Sequence, residues 1–194
     1  MTNKLGKSLF KTQENQSVNS NILYYQNSYS SIAYFLVALY LLFNSEYTLV
    51  NHYIIFLLVN ISIVSYLWWA KQNKIIHILD IILYSSLIFT IGLYISVKNT
   101  EITSNQFICY NLLFIFTIIL LIYININIIK LVNLLSGVFS LISLYYNKNI
   151  TVLIIFVSSV LFKLLDSSRF KIPLLSGTAW FHILSAIGYL NMVK

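Results

Sequence analysis

Ser65, Asp80 and His182 each fall within an otherwise apolar stretch of this 194-residue chain. A carboxylate or an imidazole at hydrocarbon depth costs several kcal/mol unless it faces a polar interior, so such residues mark candidate sites. Together the three side chains have the makings of an intramembrane hydrolytic site: an acid or base, a group that activates water, and a donor for a developing oxyanion. His77 stands three residues before Asp80, and Thr178 four before His182, so each pair shares one helix face.

The elements that must hold these residues follow from composition. The chain is 59% hydrophobic and only 9% charged, with a mean hydropathy of +0.82, whereas soluble domains carry about a quarter charged residues. The expectation is an all-α polytopic membrane protein, a seven-transmembrane helix bundle. Seven apolar segments are drawn at Ser28–Phe43, Val50–Trp69, Ile75–Val97, Phe107–Ile124, Ile126–Tyr145, Ile150–Leu165 and Leu174–Met192, each near the roughly 20 residues that cross a bilayer. Residues 1–27 read as a polar cytoplasmic tail without a signal-peptide core, which leaves the first span to direct insertion. Residues 28–194 read as the membrane domain. Pro173 stands just ahead of the last span, where its fixed φ suits a helix start. The lone cysteine, Cys109, excludes an internal disulfide and reads as a small apolar residue in a span.

The net charge of +7 does not point to nucleic acid, because the basic residues are scattered through short loops and not gathered into a stripe. They read as topology signals. Lys4, Lys7, Lys11, Lys71, Lys74, Lys130, Lys163, Arg169 and Lys171 fall on one side, and Lys98, Lys148 and Lys194 on the other. That bias places the N terminus in the cytoplasm and the C terminus opposite. Asp166 with Arg169 and Lys171 reads as a solvated turn. The end of span two and the starts of spans three and seven then share the cytoplasmic face, which gathers Ser65, Asp80 and His182 at one depth.

The pattern resembles the alkaline ceramidases, seven-span zinc amidases of a wider superfamily of membrane hydrolases. Ser65 and Asp80 keep the family's spacing of serine and aspartate, and Gly177-Thr178-Ala179-Trp180-Phe181-His182-Ile183-Leu184-Ser185-Ala186 matches most of its closing motif. Glu14-Asn15 and Asn27-Ser28-Tyr29-Ser30 look like its motifs around the first span. The chain also departs from the pattern: Trp69 and Thr178 stand where two of the three zinc histidines belong, and only His182 remains. Lys11 and Tyr24 replace acidic residues of the family's calcium site, so calcium is not expected.

A catalytic zinc takes three protein ligands and a water. His77, His182 and Asp80 have the composition of such a set, which makes His182 and His77 the metal candidates; His77 also reads as an interfacial histidine near Lys74. The resemblance implies a hydrolase of lipid amide bonds acting on ceramide or a related sphingolipid. Bound water would attack, with Asp80 handling protons, Ser65 stabilising the oxyanion and His182 as ligand or acid. The alternative is a non-catalytic relative that binds lipid or a partner protein through the same cavity. An unrelated channel or transporter fits least, because no span is interrupted by Gly or Pro at its middle.

Overall fold

The computed structural model describes residues 12, 14–17, 21–98, 102–125, 128–166, 172 and 174–193. Among them the chain is all helical: α1 (Tyr25–Ser30), α2 (Ile32–Asn44), α3 (Leu49–Lys71), α4 (Lys74–Val97), α5 (Ser104–Ile124), α6 (Ile128–Tyr146), α7 (Ile150–Leu165) and α8 (Gly177–Val193). Of these, α3, α4 and α5 are long and apolar enough to cross a membrane, and the stretches Leu131–Tyr146 and Ile150–Leu165 are shorter apolar helices. This is consistent with an integral membrane protein. Lys4, Lys7, Lys11, Arg169, Lys171, Pro173 and Lys194, and the side chain of Lys130, lie outside the described residues.

Helix boundaries follow local chemistry. Thr48 caps α3 by accepting from the Asn51 N–H, and Asn73 caps α4 by accepting from Ile75 and Ile76. Gln72 ends α3 in the left-handed conformation at φ 51, and the tight turn it makes with Asn73 sets α3 and α4 antiparallel. Thr103 and Gln106 form a reciprocal capping box on α5. The expected first span is interrupted: the chain is helical from Tyr25, and a three-residue turn from Ser31 N–H to Ser28 C=O (3.2 Å) separates α1 from α2. The last helix begins at Gly177 and not at Leu174. Leu174 has φ 73, and Ser176 Oγ accepts from the Ala179 N–H as the cap.

The core runs through Tyr34, Leu41, Ile54, Leu58, Leu87, Phe107, Val152 and Tyr189, all nearly inaccessible. Helix α3 packs against α1, α2 and α4, and α8 packs against α7, α2 and α1. Hydroxyls tie helices together: Ser140 Oγ donates to Ile88 C=O (2.7 Å) and Tyr189 OH to Leu87 C=O (2.8 Å). Helix α5 is peripheral, with only 17% of its apolar window buried. Its exposed Leu112, Leu113, Phe116 and Leu120 suit contact with lipid.

Candidate functional site

The end of α3, the start of α4, the end of α7 and the start of α8 meet at one end of the bundle, under α1 and the segment before it. Ser65 is buried on α3, and its hydroxyl lies close enough to the Asp80 carboxylate on α4 to act on its charge. Asp80 stays half-buried while Ser65, Trp69, Thr178 and His182 around this end are almost fully enclosed. Tyr34 and Tyr84 lie close enough to Asp80 to interact with its charge. Tyr34 also shares a 2.6 Å hydrogen bond with Ser185, one turn beyond His182.

His182 sits on the buried face of α8 against the α1–α2 junction. Its Nδ1 lies 2.9 Å from Ser30 Oγ and 3.3 Å from Ser31 Oγ. Both serines donate to the Asn27 carbonyl, at 3.1 and 2.9 Å. Each hydroxyl has one proton, so the arrangement that satisfies every group puts the imidazole proton on Nδ1, donating to Ser30, and leaves Nε2 as the ring's acceptor.

The centre of the site is a residue that the loop-charge reading misplaced. Lys163 is not in a loop: it lies half-buried in the last turn of α7. Its Nζ donates to Thr178 Oγ1 (2.7 Å) and stands 5.2 Å from the centre of the Trp69 ring. It is near enough to Asp80, Asp166 and His182 to act on their charges. The solvated-turn reading of Asp166 is also corrected. Asp166 is 3% exposed, and its Oδ2 accepts from the Thr178 N–H (2.7 Å) and from the Thr178 hydroxyl. A carboxylate on the first amides of α8 satisfies donors that the helix cannot pair internally and complements its dipole. Lys163, Thr178 and Asp166 thus form a continuous polar chain.

The segment before α1 closes this end. Leu23 N–H donates to Ala70 C=O (3.1 Å) and Tyr24 N–H to Trp69 C=O (3.3 Å), while the Tyr24 ring meets Trp69 edge-on at 5.6 Å. The Glu14 carboxylate accepts from the N–H groups of Gln26 (2.6 Å) and Asn27 (3.0 Å). Asn27, fully buried, joins three segments: its amide donates to Thr12 (3.1 Å), and its Oδ1 accepts from Ser176 at the head of α8. The tail is therefore docked onto the site in its described part. Beside it a cleft of about 320 Å³ opens between α1 and α8, lined by Tyr25, Gln26, Tyr29, Ser30, Leu175 and Ile183.

Of the expected residues, Ser65 and Asp80 are neighbours across α3 and α4, and Lys163 links Asp80 electrostatically to His182. His77 has another partner: its ring stacks on Trp68 at 4.0 Å with planes 7° apart. Among the described residues no three His, Cys, Asp or Glu side chains gather so as to hold a metal ion. The donors at this end do not fit zinc. An indole offers no lone pair to a metal, the Thr178 hydroxyl is already bonded to Lys163 and Asp166, and an ammonium stands beside both. Lys163, Asp166, Tyr34 and Tyr84 were not among the expected site residues; a carboxylate three residues after a lysine, at the end of an apolar segment, was the available signal for the first two. Neither a family profile, nor a curated protein, nor a solved structure matches this chain.

Proposed function

We propose that the chain is a seven-span membrane protein resembling the ceramidase-like hydrolases, and that its polar pocket binds the amide-bearing head of a membrane lipid of the ceramide type. The N terminus is cytoplasmic and the C terminus opposite. The observation that carries the binding reading is the double role of Ser30. Ser30 lines the cleft between α1 and α8 and its hydroxyl bonds His182, so a head group arriving sideways from the bilayer would stand one residue from the site. An amide carries both a donor and an acceptor, which suits a cleft bordered by Gln26 and Ser30 with the hydroxyls, carboxylate and ammonium of the polar cluster packed behind it.

Photoactivatable ceramide in lipid nanodiscs tests this reading. The expected result is labelling concentrated on α1 and the start of α8, reduced at least severalfold by Ile183→Trp, which fills the cleft. Labelling spread over α5 in proportion to its lipid exposure would sink it.

A second reading, amide hydrolysis, is favoured by the closeness of the Ser65 hydroxyl to the Asp80 carboxylate. Asp80 would take a proton from water as it attacks the carbonyl, Ser65 would donate to the oxyanion, and the proton would pass to the departing amine. Release of free fatty acid and amine by the wild type, lost in Asp80→Asn, is the result that favours this reading over binding alone.

A further inference from the structure

Helices α3, α4 and α8 converge on the Lys163 ammonium of α7. It donates to Thr178 at the start of α8 and lies against Trp69 at the end of α3. It is within electrostatic range of Asp80 on α4 and of His182 one turn along α8 from Thr178. Positions 69, 178 and 182 are those to which the ceramidase resemblance assigns metal ligands, and the side chain that approaches them all is a cation carried by the protein itself.

We propose that Lys163 is the resident cation of this pocket, standing where a divalent ion would otherwise be liganded and making the site independent of metal. The charge logic is consistent. Asp80 and Asp166 are carboxylates drawn into an apolar end of the bundle, and such groups need a nearby positive charge. Lys163 supplies one unit of it without any imidazole ligands, so Trp69 can contribute a ring face and Thr178 a hydroxyl where a metal would demand nitrogen donors. The ammonium would also repel a second cation at the same point.

The test compares zinc uptake in lipid-free purified protein, so its outcome does not depend on whether lipid binds. The wild type is expected to retain no stoichiometric zinc after incubation and dialysis, with a melting temperature moved by neither zinc nor chelator. Trp69→His/Thr178→His/Lys163→Ala is expected to take up about one zinc per chain, completing three imidazoles with His182. Trp69→His/Thr178→His with Lys163 retained is expected to bind zinc at least about tenfold more weakly.

Equal zinc binding with and without Lys163 would overturn the proposal. So would stoichiometric zinc in the wild type that disappears in His182→Ala. If the histidine variants do not fold, Lys163→Met and Lys163→Arg decide. Methionine keeps the apolar stem and arginine the charge, so a resident cation predicts loss of melting temperature in the first and retention in the second. Equal melting of both would overturn the proposal.

Discussion

Asn27 shows how much one small side chain can hold in this protein. Its amide reaches Thr12 in the tail and Ser176 at the head of α8, and its carbonyl receives both serines beside His182. Asn27→Leu removes the first two bonds and keeps the carbonyl, leaving the Ser176 hydroxyl without its acceptor. A loss of about 2 kcal/mol is expected, read as a lower melting temperature with faster hydrogen exchange at Leu23 and Tyr24. Unchanged exchange there would mean that the tail docks by other contacts. Glu14 adds a pH dependence to the same joint. Burial raises its carboxyl above the usual 4.5, partly offset by the N–H groups of Asn27 and Gln26, with the charge of Asp166 adding to the rise. A carboxyl raised on folding stabilises the docked state most below pH 4.5, and that stability is lost as pH climbs through the folded value. Protease protection of the tail should therefore fall as the pH rises above 4.5 in the wild type and stay flat in Glu14→Gln; protection that grows with pH would show that the N–H bonds outweigh burial. Ser65, Asp80 and His182 were legible because each breaks an apolar run. Lys163 was not, since a lysine in the last turn of an apolar segment looks the same whether it faces water or turns inward, and Tyr34 and Tyr84 were hidden among fifteen tyrosines.

At the scale of elements, hydropathy and capping residues located the helices closely, and the misses have local causes. The break at Ser31 arises where Ser30 and Ser31 bond the Asn27 carbonyl, a polar competition invisible to hydropathy. The late start of α8 arises because Ser176 and Asp166 satisfy its first amides. The α7–α8 approach that this produces depends on two glycines. A β-carbon at Gly177 would collide with the Phe162 carbonyl oxygen, a backbone atom, whereas at Gly188 it would stand 2.8 Å from the Phe156 ring. A ring can swing aside and a backbone carbonyl cannot. Gly177→Ala is therefore expected to cost more stability than Gly188→Ala, about 3 kcal/mol against about 1, and to loosen the Asp166–Thr178–Lys163 chain along with it. Thermal unfolding of the two variants in the same detergent checks the order; Gly188→Ala as the more damaging change would contradict the packing described.

Over the whole molecule, among the described residues, the polar site, the docked part of the tail, Lys71, Lys74 and Lys163 belong to one end, while the far end is marked by the Glu46 loop, Lys98 and Lys148. Moving Lys163 from loop to helix removes one charge from the topology count without changing its sign, because Lys4, Lys7, Lys11, Lys71, Lys74, Lys130, Arg169 and Lys171 still oppose Lys98, Lys148 and Lys194. The count of spans is the coarser part of the picture. Helices α3, α4 and α5 are long enough to cross unaided, whereas the shorter apolar helices would cross in a locally thinned bilayer. If all seven segments cross, Asn73 in the α3–α4 turn and Lys148 in the α6–α7 turn must open to opposite sides. Cys109, exposed on α5, is the only native thiol and is removed as Cys109→Ser. In that background Asn73→Cys should react with a membrane-impermeant maleimide only from the cytoplasmic side, and Lys148→Cys only from the other. Labelling of both from one side would break the seven-span count between α4 and α6, and a reversed pair would leave the count standing while inverting the protein in its membrane.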